Sequence, residues 1–405
     1  MGFLNTKKSK IFGARKIQGI FLGNNVCAPK GFLALGKSAG IKKSGNPDLA
    51  VIYSEAPANA AAVYTSNSVK GAPLIVTKDH LQNGKAQAIV INSGIANVCT
   101  GKKGMKDAEE TSRFVANELK IKNSDVVVAS TGLIGAYLPM GKIRNGLKGI
   151  KNHLKTNSDA AKAILTTDTV EKEIAVKVEN FTIGAIAKGS GMIHPNMATM
   201  LCFITTDAKI GSKKLSRFLK NSVNKSFNMM SVDMDTSTSD MVVILANGLA
   251  GSADEIKFQE ALDYACIEMA KKIARDGEGA TKLIEVEVKN SASKTDAQKL
   301  AKSIIASNLV KCAIFGNDPN WGRLMCAMGN SNAKFNENLV DIYFEKEQIV
   351  KNGASSNFNF EKVRKLMDTD TLKILIDMKQ GKQSTTAYGC DMTYDYVKIN
   401  AKYTN

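Results

Sequence analysis

The chain has 405 residues, of which 44% are hydrophobic and 23% charged. These are the proportions of a soluble globular protein of two or three domains; they exclude a disordered, collagen-like or coiled-coil chain. The formal net charge is +17, unevenly spread: 27 basic against 13 acidic residues in 1–198 (+14), and 28 against 25 in 199–405 (+3).

Charge alone suits anionic partners. Aromatics are only 6%, and neither an RNP-like aromatic stripe nor zinc-finger spacing accompanies the lysines. No nucleic-acid partner is expected. The longest uncharged run, Gly189–Thr206, is broken by glycine, histidine and proline. It reads as no transmembrane helix, and no membrane partner is expected. Seven cysteines stand at 27, 99, 202, 266, 312, 326 and 390, none at CxxC spacing, with three histidines far apart. They read as reduced thiols, and no metal site is expected. Residues 1–26 read as a basic leader; the first 47 residues hold nine Lys or Arg and no acid.

In chain order, Asp107–Lys120 is predicted helical behind a Gly-rich turn, and 125–130 is predicted to be a buried strand. Ser212–Met230 places Leu215, Leu219, Val223 and Phe227 on one helix face. Strand 240–246 follows. A helix over Ser252–Ile273 opens with the capping-box pattern Ser252-Ala-Asp-Glu. Segments 283–288, 339–344 and 372–378 alternate with the period of half-covered strands, and Asp296–Ser307 is helical. The mixture predicts an α/β protein whose sheets are covered by helices. A boundary falls near 285, dividing a domain of 27–285 from one of 286–405.

Four Gly-containing polar clusters interrupt these elements: Asn92–Gly101, Ser130–Gly135, Lys188–Thr199 and Gly316–Arg323. None is a dinucleotide fingerprint, a Walker loop or a nucleophile elbow. Three histidines leave little scope for a Ser-His-Asp triad. The residues alone therefore give a loop-built site of hydroxyls and a lysine, or else a basic binding protein.

The stretch Ala187-Lys-Gly-Ser-Gly-Met-Ile-His-Pro-Asn-Met-Ala-Thr-Met-Leu resembles the processing site of the ornithine acetyltransferase family, the bifunctional glutamate N-acetyltransferases. Further matches follow in the family's order: Ala28-Pro-Lys-Gly-Phe, the Asn92 and Ser130 clusters, Thr166-Thr-Asp-Thr, Asp276-Gly-Glu-Gly-Ala-Thr-Lys, Asp318-Pro-Asn-Trp-Gly-Arg and Tyr396-Val-Lys-Ile-Asn-Ala-Lys-Tyr-Thr.

The resemblance implies self-cleavage between Ala198 and Thr199, giving chains 1–198 and 199–405. Thr199 would then carry both a hydroxyl and a free α-amino base with a pKa near ~8. That makes an activated nucleophile without histidine. It implies an oxyanion hole at Thr131 and Gly132, and substrate contacts at Thr166, Lys188, Thr199, Glu278, Asn400 and Asn405. At Asn405 the family usually has Ser or Thr. The implied reaction is ping-pong: acetyl passes from N-acetylornithine to Thr199 and then to glutamate, in arginine biosynthesis. Some members also use acetyl-CoA as donor. No cofactor or metal is implied. The implied fold is the N-terminal-nucleophile type, with stacked mixed sheets inside helices, and the implied assembly is a cytoplasmic α2β2 heterotetramer. The alternative is a related N-terminal-nucleophile aminopeptidase or hydrolase. His194 and Asn196 read as loop residues. Trp321 and Arg323 carry no assigned chemistry; the arginine fits a structural ion pair or a ligand contact.

Overall fold

A computed structural model describes residues 20–21, 25–156, 158–194 and 200–402. The expected leader lies outside the described residues except at 20–21 and 25–26. Ala198, Thr199, Asn196 and Asn405 lie outside them too.

The strands are β1 (Ile20–Phe21), β2 (Phe32–Lys37), β3 (Leu49–Tyr64), β4 (Lys85–Ile95), β5 (Val126–Leu133), β6 (Lys172–Val178), β7 (Phe181–Lys188), β8 (Leu201–Lys209), β9 (Met230–Ser231), β10 (Met241–Ser252), β11 (Leu283–Ser291), β12 (Asp341–Phe344), β13 (Glu347–Lys351), β14 (Ala354–Ser355), β15 (Thr371–Asp377) and β16 (Gln383–Cys390). The helices are α1 (Ala72–His80), α2 (Gly101–Leu119), α3 (Met140–Leu147), α4 (Ala160–Ala163), α5 (Ser212–Lys225), α6 (Glu255–Arg275), α7 (Lys294–Ala306), α8 (Asn308–Phe315), α9 (Trp321–Gly329), α10 (Phe360–Leu366) and α11 (Tyr394–Lys402).

Among the described residues the strands form two mixed sheets. The first has nine strands in the order β1-β6-β7-β8-β10-β3-β4-β5, with β2 also on β3. The second runs β14-β13-β12-β15-β11-β16-β9. The α/β expectation holds. Strand β3 carries a register shift between Tyr53 and Ala58, where an irregular strand bends. Strands β4 and β5 lie to one side of β3, and β10, β8, β7 and β6 to the other. One core cluster holds Ile52, Ile89 and Val127 from one half with Ile186, Phe203 and Val243 from the other. Helices α5 and α6 cover the β6–β8 side, and α1–α3 cover the β4–β5 side. The second sheet packs under α7, α8, α9 and α10.

Three predicted helix boundaries are corrected. α2 begins at Gly101, so the Gly-rich turn is its first turn. Gly104 is required there because a Cβ would run into the Thr100 and Asn97 side chains. α5 stops at Lys225, and Phe227 is buried from a separate single turn. Ser252 does not cap α6: it still pairs with Lys209 in the β8–β10 ladder. The Asp254 carboxylate takes over as cap, accepting the Lys257 N–H at 2.9 Å.

Candidate active site

Parallel pairing of β4 and β5 sets two of the polar clusters side by side. Asn92 faces Ser130, Ser93 faces Thr131 and Gly94 faces Gly132. The Ser130 hydroxyl donates to Asn92 Oδ1 at 2.6 Å, and the Asn92 amide donates to the Ile95 carbonyl at 2.8 Å. Gly132 has φ +124°, and a Cβ on it would collide with the Gly94 backbone. Only glycine fits this crossing without displacing a strand. Thr131 is thereby held on the wall of a small cleft of about 20 Å³, with Lys188, Gly191, Met200, Ser239 and Asp240 also on its walls.

The segment entering the expected cleavage site is gripped by three aspartates from separate loops. Asp168 accepts the Gly189 N–H at 2.6 Å. The Asp276 carbonyl accepts the Ser190 hydroxyl at 2.7 Å. Asp233 accepts the Met192 and Ile193 N–H groups at 2.6 and 2.8 Å. Met192 sits at φ +57°, a strained conformation for a side-chain-bearing residue. These bonds hold it there.

Behind the grip lies a buried ion triad. Lys172 Nζ is 2.7 Å from Asp168 and 2.5 Å from Asp276, with the Lys172 and Asp168 side chains fully buried. Burial pushes the Asp168 carboxyl upward. The ammoniums of Lys188 and Lys172, with the Gly189 N–H, outweigh it and hold the group well below the usual carboxylate range. Asp276 also accepts the Thr169 N–H at 3.1 Å, which closes the Thr166-Thr-Asp-Thr loop onto the Asp276-Gly-Glu-Gly loop.

The residues expected to contact substrate form a chain around this frame. The Thr166 N–H donates to Asp168 at 3.0 Å. Lys188, nine-tenths buried at the end of β7, faces the same carboxylate. The Glu278 N–H donates to the Ser190 carbonyl at 3.2 Å, and its carboxylate lies against the Gly191 Cα. Glu278 Oε2 accepts the Asn400 side-chain amide at 2.8 Å. The Thr393 hydroxyl donates to the Gly279 carbonyl at 2.6 Å, fixing α11 beside Glu278. Thr131, Thr166, Lys188, Glu278 and Asn400 are thus joined in one region, although they come from β5, two loops, β7 and the last helix.

Sequence reasoning missed Asp168, Lys172, Asp276, Asp233 and Asp240. Asp168 and Asp276 lie inside quoted motifs and were legible as members of them. Asp233 and Asp240 bound the loop Asp233-Met-Asp-Thr-Ser-Thr-Ser-Asp, whose acid and hydroxyl content was the available signal. His194, expected as a loop residue, accepts or donates through Nδ1 to the Ser231 hydroxyl at 2.9 Å. Burial, with Lys302 nearby, lowers it to about 4. Arg323 makes no ion pair among the described residues; its guanidinium donates to the Leu309 carbonyl at 2.8 Å. Asn320 caps α9, so the Asp318-Pro-Asn-Trp-Gly-Arg motif is a helix start. Trp321 packs against the second core.

The ArgJ family profile matches residues 33–405. The chain belongs to the ArgJ family. The arginine biosynthesis bifunctional protein ArgJ of Listeria monocytogenes is 48% identical over 94% of this chain and 98% of its own length. That of Symbiobacterium thermophilum is 47% identical over 95% and 99%. Among solved structures, argJ of Bacillus halodurans matches at TM-score 0.48 and 44% identity, over 49% of this chain and 97% of that one. An ornithine acetyltransferase of Mycobacterium tuberculosis, solved with ornithine, matches at TM-score 0.42 and 42% identity, over 43% and 96%. Within this ArgJ-family chain, Asp168, Asp276 and Asp233 together hold residues 189–193.

Proposed function

We propose that this ArgJ-family chain cleaves itself between Ala198 and Thr199 and acts in arginine biosynthesis as an acetyltransferase. Thr199 takes acetyl from N-acetylornithine, ornithine leaves, and glutamate collects the acetyl group. Attack of the Thr199 hydroxyl on the Ala198 carbonyl breaks the peptide C–N bond and leaves an ester, which water opens. The free amine then serves as the base for acetyl transfer. Thr131 and the Gly132 N–H stabilise the oxyanion in both reactions. Lys188 and Glu278 bind the carboxylate and ammonium of an amino-acid substrate, and Thr166, Asn400 and Asn405 are further substrate contacts. Acetyl-CoA is a second acetyl donor, as the bifunctional naming of the relatives suggests. The processed chains 1–198 and 199–405 assemble as a cytoplasmic α2β2 tetramer, with domains of 27–285 and 286–405.

The observation that carries this reading is the convergence of Thr131, Lys188 and Met200 on one cleft, beside a segment held by buried acids. Denaturing intact mass tests it. Wild type should give two fragments meeting at Ala198/Thr199, and Thr199→Ala one 43.5 kDa chain. An uncleaved wild type that still transfers acetyl would remove the proposed nucleophile. Release of ornithine without acetylglutamate would favour the hydrolase reading.

A further inference from the structure

Among the described residues, two polar atoms in the cleft have no hydrogen-bond partner: Asp240 Oδ2 and Ser239 Oγ. Both residues are buried, at 3% and 5% exposure, and both line the cleft with Thr131 and Lys188. A buried polar group left unpaired is costly, and two together call for an explanation. Their position supplies one. β10 runs parallel to β8 with Met241 beside Leu201. The Met241 N–H donates to the Met200 carbonyl at 3.0 Å. Asp240, one residue earlier, therefore stands beside Met200, and in sequence Met200 directly follows Thr199.

We infer that Asp240, assisted by Ser239, receives the primary amine that chain scission releases one residue ahead of Met200, and so positions the nucleophile's own base. The inference rests on the self-cleavage proposed above. Before scission that position holds a peptide N–H, a single neutral donor. Scission replaces it with a group bearing two or three hydrogens and able to carry charge. The unpaired carboxylate and hydroxyl oxygens match that larger donor set.

The electrostatics agree. Burial raises the Asp240 carboxyl well above the usual range; a Ser237 hydrogen bond and the Lys188 ammonium oppose it. Lys188, from β7, is the charged group facing it. From the end of β3, Thr65 contributes only its N–H to the Asp240 carbonyl. On the β5 and β8 sides Thr131, Met200 and Leu201 are neutral. An arriving ammonium offsets the burial cost, so amine and carboxyl hold one proton between them at neutral pH. Asp240 is then a positioning residue: it orients the amine toward the hydroxyl and sets its basicity.

The test uses full-length enzyme carrying Asp240→Asn, Asp240→Glu or Ser239→Ala. Intact mass gives the processed fraction, and acetyl transfer from N-acetylornithine to glutamate is followed from pH 5.5 to 9.5. In processed Asp240→Asn the acidic limb of kcat/KM should move down by about one pH unit or more, because the ammonium has lost its opposite charge. The kcat should fall at least about tenfold, and KM for N-acetylornithine should stay near wild type. Asp240→Glu should restore the limb. A processed Asp240→Asn enzyme with an unmoved limb overturns the inference. So does a rise in KM alone, which would assign Asp240 to the substrate's ammonium. If Asp240→Asn fails to fold or process, Ser239→Ala decides: kcat reduced severalfold supports the inference, and wild-type kcat with a wild-type limb overturns it. An uncleaved wild type instead overturns the underlying reading.

Discussion

The Asp168 carboxylate accepts the Gly189 N–H at 2.6 Å while its other oxygen takes the Thr166 N–H at 3.0 Å. One buried acid therefore ties the Thr166 loop to the segment that leads toward the proposed cleavage site. Its charge is balanced from behind by Lys172. Removing that lysine leaves two aspartates buried near one another. Lys172→Met should cost about 3–5 kcal/mol of stability, the range for breaking a buried pair by deleting one partner. Urea denaturation at pH 7 measures it.

The same pair sets a pH dependence. The folded-state value of Asp168 is depressed, so its contribution is fully present above the unfolded value of about 3.9 and is lost as pH falls through the lower folded value. Glu173 behaves oppositely. Burial and the neighbouring Glu171 raise it to about 7, against the opposing Lys272. The folded state then binds the extra proton between the unfolded value of about 4.3 and about 7, and stability falls as pH rises through that window. Glu173→Gln should raise Tm at pH 8 and change it little at pH 4. Thermal melts at the two values check the sign.

Thr131→Ala should lower kcat for acetyl transfer by about 10²–10³, the usual loss of one oxyanion donor, with little change in stability. Gly132→Ala should do more. Its Cβ meets the Gly94 backbone, so β4 and β5 must shift and carry Thr131 with them. Single-turnover acetylation of the processed enzyme separates the two. Retained activity in Gly132→Ala would mean that the crossing is not part of the site.

The Glu278–Asn400 hydrogen bond joins a loop to the last helix. Asn400→Ala should raise KM for N-acetylornithine by about tenfold with kcat nearly unchanged, since a hydrogen bond to a charged group is worth about 1.5–3 kcal/mol and this one is exposed. Initial-rate kinetics on processed enzyme would detect it.

β7 and β8 are adjacent strands of one sheet, with Lys188 paired to Leu201. The proposed chains 1–198 and 199–405 would each own one of them. The two fragments should therefore co-purify and elute together from gel filtration, and part only in denaturant. Separation of native fragments would contradict the sheet topology.

Much of this was legible in the sequence. Period and composition located strands 125–130, 240–246 and 372–378 and the apolar face of α5, because burial on a regular element imposes a fixed spacing. The ordered motifs marked the family and named Thr131, Gly132, Thr166, Lys188, Glu278 and Asn400. Helix ends were less legible. Ser252 and Asp254 both look like caps, and only the β8–β10 ladder, which holds Ser252 in a strand, decides between them. The Gly-rich start of α2 read as a turn because the need for glycine came from close packing on Thr100 and Asn97, a contact without local signature.

The sequence by itself determined which elements form and which chemistry-bearing loops they carry, since those follow from local spacing and motif order. Only the tertiary structure decided what the acids do. Asp168, Lys172 and Asp276 are separated by 4 and 104 residues, and pairing in space, not in sequence, makes them one buried charge set. Asp240 is an ordinary strand-leading aspartate in the sequence. Its burial beside Met200, with one oxygen unpaired among the described residues, exists only because β8 and β10 lie parallel, and that register was written in no single segment.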